Sequence, residues 1–166
     1  MRKLYLKRNV IDSKDKFTFF DEHQQEVYQG LQTSMSLPPR FGLVDIDKNK
    51  QVITLTGTTF SMMPEFKMTD SETNSVIVKI KKKFTLNKGK VTIKTPQGEY
   101  IIVGDFVARD FKVLDNQQQE IISVHPSQIS WGEISEVNID TSLIAEHIAV
   151  GILLGIECAY YSDNKY

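Results

Sequence analysis

The stretch Leu143-Ile-Ala-Glu-His-Ile-Ala-Val-Gly-Ile-Leu-Leu-Gly-Ile156 decides the fold of this chain. It is the only run long enough, and rich enough in Ala and Leu, to predict a substantial helix. From Ile148 to Ile156 it is apolar on every side, and such a helix is either buried or spans a membrane. Because a membrane span needs roughly 20 mainly apolar residues, this shorter run predicts a helix that the rest of the protein encloses.

Two glycines, Gly151 and Gly155, lie four residues apart and therefore on one side of this helix. Each lowers helix propensity by about 1 kcal/mol relative to alanine. Their spacing predicts a neighbouring surface that leaves no room for a Cβ atom, and a merely tolerated pair of glycines is the alternative. Three residues that precede the helix are candidate N-caps, namely Asp140, Thr141 and Ser142.

Length and composition indicate an ordinary folded protein. The chain has 166 residues, with 40% hydrophobic and 25% charged residues, which predicts a single domain over 1–166. The net charge of −1 creates no overall field that favours nucleic acid or a membrane. The single cysteine, Cys158, excludes an internal disulfide and fits a reducing compartment. Residues 1–8 lack the apolar core of a secretory signal, so a cytoplasmic location is expected.

Most of the chain before the helix alternates apolar and polar residues in short runs separated by turn-forming residues, which is typical of β-hairpins. The units begin at nearly regular intervals, at Phe17, Phe41, Phe66, Val91, Phe111 and Ile134. The predicted strands cover residues 3–7, 17–19, 26–29, 41–44, 52–56, 66–68, 76–80, 91–93, 100–103, 111–114, 121–124 and 134–139. A propeller blade would need about 40 residues and four strands, so one hairpin per unit favours a different architecture.

About twelve up-and-down strands are enough to close an antiparallel barrel and remove its edges. Barrel diameter grows with strand number, and side chains alone fill the interior of only about eight strands. A barrel of twelve strands therefore needs additional material inside it. We predict a mainly β fold, a closed antiparallel barrel of about twelve strands that encloses the hydrophobic C-terminal helix.

Several short motifs resemble the LURP-one-related family. They are the Ser-x-x-Pro-x-Phe connections at 36–41 and 61–66, Gly104-Asp105-Phe106, Ser130-Trp131-Gly132, and the helix end Ile156-Glu157-Cys158. The resemblance covers essentially the whole chain. It implies a fold similar to the tubby C-terminal domain and the phospholipid scramblases, a barrel around a hydrophobic helix. Since tubby-type domains bind phosphoinositides, it also raises phospholipid binding as an expectation.

The densest basic cluster is the predicted ligand site. It comprises Lys79, Lys81, Lys82 and Lys83, with Lys88, Lys90 and Lys94 nearby. In a strand, Lys79, Lys81 and Lys83 share one face, which suits anionic lipid head groups or a phosphorylated ligand. The alternative is a solvated outer face whose lysines discourage aggregation.

Metal and cofactor sites are not expected. Asp45, Asp47 and Asn49 imitate the start of an EF-hand loop, but Lys50 and Thr56 replace the glycine and glutamate that calcium binding requires. This segment is therefore predicted to be a hairpin turn. The three histidines, His23, His125 and His147, do not have the spacing of metal ligands.

Enzymatic activity is not expected either. The chain has no nucleophile elbow, no glycine-rich phosphate loop and no paired-carboxylate motif. Asp105, Arg109 and Asp110 are predicted to form an ion pair that fixes a connection between strands, and Cys158 to be a small core residue. We therefore expect a non-enzymatic cytoplasmic binding or scaffold module. The alternatives are a protein-interaction role without a lipid ligand and, less favoured, an enzyme with a site at the barrel rim.

Overall fold

The computed structural model describes residues 1–11, 14–34, 38–58, 65–83, 90–128 and 134–161. Within these ranges the chain forms twelve strands followed by one helix. They are β1 (Arg2–Ile11), β2 (Lys14–Phe20), β3 (Glu26–Ser34), β4 (Arg40–Asp45), β5 (Lys50–Gly57), β6 (Glu65–Asp70), β7 (Val76–Lys83), β8 (Lys90–Thr95), β9 (Gly98–Asp105), β10 (Asp110–Leu114), β11 (Glu120–Pro126), β12 (Ile134–Ile139) and α1 (Glu146–Tyr161). Each of the twelve predicted runs lies in a different strand.

The strands form one closed antiparallel barrel. Every strand pairs with its neighbours in sequence, and β1 closes the barrel by pairing with β12, from Arg2 opposite Ile139 to Lys7 opposite Ile134. The predicted closed barrel is therefore confirmed. The connections at 36–37, 61–64 and 130–133, which carried part of the family resemblance, lie outside the described residues, as do Phe60 and Trp131.

Aspartates begin most of the hairpin turns that the structure describes. A side-chain oxygen of Asp21, Asp45, Asp70, Asp105 and Asp115 accepts hydrogen bonds from backbone amides of the residues that follow it. An aspartate that bonds the backbone two or three residues on stabilises a turn. This device explains the regular spacing of the hairpins, and it confirms that the EF-hand-like segment at Asp45 is a turn.

The two ends of the barrel carry different turns. We call the end with turns 21–25, 46–49, 71–75, 96–97 and 115–119 the lower end, and the opposite end, with turn 106–109, the upper end. Helix α1 begins at the lower end and runs up through the barrel. Among the described residues, no helix is both long enough and apolar enough to cross a membrane.

Helix α1 begins at Glu146, later than the predicted Leu143. Asp140 first organises a turn, since its carboxylate accepts hydrogen bonds from the amide and hydroxyl of Ser142. The carbonyl of Ala145, directly before the helix, accepts hydrogen bonds from the amides of Ile148 and Ala149. The expectation that residues 140–142 cap the helix was therefore wrong, and Leu143 lies exposed on the turn.

The helix fills the barrel along most of its length. Its residues from Ala149 to Ala159 are buried, and they share one core cluster with the phenylalanines that begin four of the repeating units, Phe17, Phe41, Phe66 and Phe111. The rings of Phe17 and Phe41 are 6.4 Å apart, and those of Phe41 and Phe66 are 6.2 Å apart, both edge to face. Aromatic pairs favour this arrangement. The barrel interior is thus a close-packed core.

Both helix glycines face the barrel wall closely, as predicted. A Cβ built on Gly151 would lie 2.7 Å from the Ile53 Cδ1 and the Met68 Sδ atoms. On Gly155 it would lie 2.1 Å from the Ile80 Cδ1 atom. The helix backbone therefore approaches β5–β7 more closely than a side chain would permit.

Gly151→Leu should lower the free energy of unfolding by about 1–3 kcal/mol or more, because the added atoms overpack this contact. Gly151→Ala is the control. Its Cβ displaces the Ile53 and Met68 side chains by far less than a leucine would, and a gain of about 1 kcal/mol in helix propensity offsets part of the crowding. Denaturant unfolding measures both variants, and an unchanged midpoint for the leucine variant would contradict close packing.

Candidate functional site

The structure divides the predicted lysine cluster between two faces of β7. Lys79 is exposed and Lys81 is half-buried on the outer face, whereas Lys82 continues the inward series of Val78 and Ile80. Lys82 is only 7% exposed. The side chains of Lys83 and Lys90 lie outside the described part of the chain, as does Lys88. Of the predicted ligand residues, Lys79 and Lys81 thus remain available on the outer wall.

Strand pairing adds two further lysines to this wall. Lys79 lies directly opposite Lys67 of β6 on one side and opposite Lys94 of β8 on the other. All three side chains are exposed, and residues opposite each other in a sheet have Cβ atoms about 4.5–5.5 Å apart. Lys81 lies two residues farther along β7. We call Lys67, Lys79, Lys81 and Lys94 the lysine face.

No ion pair within the described ranges neutralises the lysine face. Glu65 lies opposite Lys81 and Glu99 lies opposite Lys94, yet neither carboxylate reaches within 4.0 Å of a lysine. Like charges placed directly opposite each other destabilise a sheet. The row therefore places three like charges side by side on adjacent strands, with no counter-charge bonded to them among the described residues.

Lys79→Gln should raise the free energy of unfolding by roughly 0.5 kcal/mol at low ionic strength, because it removes repulsion from both neighbouring lysines. The gain should shrink at 1 M salt, where the screening length is about 3 Å. Thermal unfolding at the two salt concentrations measures the effect. If Lys79→Gln instead lowers the free energy of unfolding, other contacts of Lys79 outweigh the repulsion between the lysines, and the prediction is contradicted.

A buried ion pair lies at the upper end of the barrel. Arg109, in turn 106–109, donates from Nη1 to Oε1 of Glu157 on α1 at 2.7 Å. Glu157 is only 4% exposed, and its Oε2 atom has no hydrogen-bond partner. The predicted ion pairing among Asp105, Arg109 and Asp110 is therefore wrong. Asp105 accepts amides of its own turn, while Asp110 contacts His125 at 2.6 Å.

Burial raises the pKa of Glu157, and the nearby guanidinium groups of Arg109 and Arg8 oppose this shift. The turn that supplies Arg109 is itself anchored, since the ring of Phe106 stacks on that of Phe111 at 4.8 Å. Arg109 adopts a left-handed backbone conformation with φ of 54°. The arrangement ties the end of the helix to the β9–β10 turn.

The raised pKa of Glu157 predicts a specific dependence of stability on pH. The folded-state pKa of Glu157 lies above the ordinary value of 4.5. Its stabilising contribution to the free energy of unfolding is therefore fully present below pH 4.5, and it is lost as the pH rises through the folded-state pKa. Relative to Glu157→Gln, which cannot titrate, the native protein should lose stability over that range. Urea unfolding of both proteins across pH measures this difference, and a flat or rising difference would contradict it.

A second ion pair lies at the lower end. Arg2 of β1 contacts Glu146, the first residue of α1, with 3.4 Å between Nε and Oε2. Burial, together with the Glu146 carboxylate, raises the pKa of Tyr28 on β3. The next helix residue, His147, is half-buried near the lower end of the barrel. Backbone hydrogen bonds from Thr73 and Glu72 lower the pKa of Asp70. The charge of nearby His147 lowers this pKa slightly further.

The part of the chain that the structure describes contains no metal site among its side chains. That part contains no group of three or more His, Cys, Asp or Glu residues arranged to hold a metal ion. Cys158 is buried in the core, as predicted, and forms no disulfide. The lysine face is therefore the candidate functional site that the geometry supports best.

Comparison with known proteins agrees with the barrel. A family model described as LURP-one-related matches residues 2–145, the whole barrel up to the start of α1. The chain is similar to the uncharacterized protein YxjI of Bacillus subtilis strain 168, with 25% identity over 153 residues, 90% of this chain and 91% of that one. It is also similar in fold to an X-ray structure of a protein from Arabidopsis thaliana. That match has a TM-score of 0.54 at 13% identity and covers 92% of this chain and 91% of the other.

Proposed function

This chain belongs to the LURP-one-related family, and from that premise we propose that it is a non-enzymatic binding module for phosphorylated or other polyanionic ligands. The observation that carries the proposal is the row formed by Lys67, Lys79 and Lys94 on three adjacent strands. Lys81 extends this row along β7. Like charges opposite one another are unfavourable in a sheet, and no ion pair of the described residues offsets them here, which supports a ligand-binding role.

The filled barrel directs a ligand to the outer surface. Carrier barrels such as lipocalins hold a small ligand inside the lumen, but here α1 occupies that space with buried residues from Ala149 to Ala159. Anions would therefore meet the protein on its wall, where the exposed lysines lie. Lysine is suited to this role because its ammonium group acts as a flexible point charge for phosphate.

The non-enzymatic and cytoplasmic parts of the proposal rest on sequence features. No motif for nucleophilic or paired-carboxylate catalysis occurs in the chain. The chain has a single cysteine and therefore no internal disulfide, which is typical of proteins from reducing compartments. The resemblance to tubby-type domains, which bind phosphoinositides, further supports an anionic ligand.

The test removes three charges from the row and three from the opposite side of the barrel. Lys67→Gln, Lys79→Gln and Lys94→Gln are combined in one variant. The control combines Lys3→Gln, Lys7→Gln and Lys16→Gln, on β1 and β2, which lie across the barrel from β7 and β8. Both variants have the same net charge, and they differ in the position of the lost charges and in the Lys3–Glu136 ion pair that the control removes.

Binding is measured with inorganic tripolyphosphate and by sedimentation with vesicles of phosphatidylserine and phosphatidylcholine. At about 1 kcal/mol for each lysine near an anionic surface, the row variant should bind the vesicles roughly 100-fold more weakly. The control should bind nearly as well as the native protein, and added salt should weaken binding in all cases. Equal losses in the two variants, or binding insensitive to salt, would refute recognition by the lysine face.

A further inference from the structure

The seam between β8 and β9 is paired over only part of its length. Its register runs from Thr95 opposite Gly98 to Ile93 opposite Tyr100. Strand β9 continues above this point through residues 101–105, and each of these residues has a partner on β10. Among the described residues, the upper half of β9 therefore has a paired strand on one side and none on the side of β8.

Burial distinguishes the two strands at this seam. Val91 and Thr92 of β8 are only 2% and 3% exposed, so β8 stays covered within the wall. Strand β9 has no buried residue, whereas every other strand has buried residues in its described part. Its outward side chains Ile101 and Val103 are 40% and 42% exposed. The accessible strand edge therefore belongs to β9.

This edge lacks the features that normally protect one. Natural sheets guard an open edge with charged residues, proline or a β-bulge. Residues 100–103 read Tyr-Ile-Ile-Val, which are uncharged residues of the aromatic and β-branched types that strands favour. The register between β9 and β10 shows no shift along them. Such an edge is suited to pairing with another extended segment.

We infer that the upper half of β9 binds an extended peptide segment of a partner protein as an added antiparallel strand. In recognition of this kind, main-chain hydrogen bonds supply affinity and alternate side chains supply specificity. The backbone of residues 101–105 provides the hydrogen bonds, and Ile101 and Val103 contact apolar side chains of the peptide. This is a second binding activity, separate from that of the lysine face.

The charges at the upper end of the edge indicate the chemistry of the partner. Asp105 and Asp110 lie opposite each other and are exposed. Asp105 accepts hydrogen bonds from amides of its own turn, Asp110 contacts His125, and β9 itself contains no basic residue. A lysine or arginine opposite Asp105 would complement this end. The matching peptide therefore has a basic residue followed by apolar residues at alternate positions.

A second copy of this chain fits the edge less well than such a peptide. Antiparallel pairing of β9 with itself about Val103 would place Asp105 of each copy opposite Ile101 of the other. Two carboxylates would then lie against aliphatic side chains without a basic partner, which is unfavourable. The occupant is therefore a segment of a different protein.

The probe is a labelled peptide of sequence Lys-Thr-Val-Thr-Ile-Thr, blocked at both ends. In the antiparallel register its first, third and fifth side chains face Asp105, Val103 and Ile101. Two control peptides carry N-methyl groups, one on its valine and isoleucine and the other on its second and fourth residues. Because successive amides of a strand point to opposite sides, each control lacks hydrogen-bond donors on one edge only. Fluorescence anisotropy with the full chain measures binding.

One N-methylated peptide should bind as the parent peptide does, and the other should bind about tenfold more weakly or worse, because it loses two hydrogen bonds. Equal binding of all three peptides, or loss of binding by both controls, would overturn strand addition. The bound parent peptide should also slow hydrogen exchange of amides within residues 101–105. Exchange that stays unchanged there would count equally against the site.

A pair of protein variants tests the side-chain contacts. Ile101→Thr combined with Val103→Thr keeps β-branched residues and should weaken peptide binding about tenfold. The matched control combines Val76→Thr with Leu143→Thr at the lower end, where these residues are 44% and 43% exposed, and it should bind as the native protein does. Equal losses in both variants would overturn the assignment to β9.

Further arms separate this inference from its alternatives. The variant that lacks the three lysines of the row should bind the peptide as the native protein does, so either binding activity can fail without the other. A peptide with glutamate in place of its lysine should bind more weakly, and equal binding would overturn the basic partner. Self-association of the native protein that the Ile101 and Val103 substitutions abolish, without peptide binding, would overturn the inference in favour of a second copy.

Discussion

Close contact between α1 and the inner wall of the barrel is the constraint on which the rest of the structure depends. A twelve-stranded barrel is too wide for its own side chains to fill, and an open lumen would leave its apolar lining wet. The helix fills that space only because Gly151 and Gly155 let its backbone approach Ile53, Met68 and Ile80. Barrel closure and helix burial therefore stabilise each other, since neither surface is covered without the other.

Apolar packing alone does not fix the position of the helix along the barrel axis, because aliphatic contacts are non-directional. Ion pairs, which are directional, hold the helix at both ends. Glu146 contacts Arg2 at the lower end, and Glu157 accepts a hydrogen bond from Arg109 at the upper end. A buried ion pair gives little net stability, but removing one partner is costly and wrong alignments are disfavoured. The two carboxylates thus fix the position of the helix while the glycines fix its rotation.

Filling the lumen also determines where the protein can meet a ligand. With the interior occupied, a ligand of the proposed kind would meet the outer wall. The strands packed against the helix glycines on the inside, β5–β7, overlap those that carry lysines on the outside, β6–β8. The register of the sheet sets the spacing between the Cβ atoms of the row, while each ammonium group moves on a flexible four-carbon stem.

The sequence by itself determined the strands, the buried helix and the closed barrel, because alternation, turn residues and an all-apolar run are local features. The inward position of Lys82 was also readable, since it follows Val78 and Ile80 at a period of two. Only the tertiary structure decided that Lys67 and Lys94 flank Lys79, and that Arg109 contacts Glu157 rather than the neighbouring aspartates. These are contacts between residues distant in sequence, and they depend on strand register and helix position, which a one-residue shift would change completely.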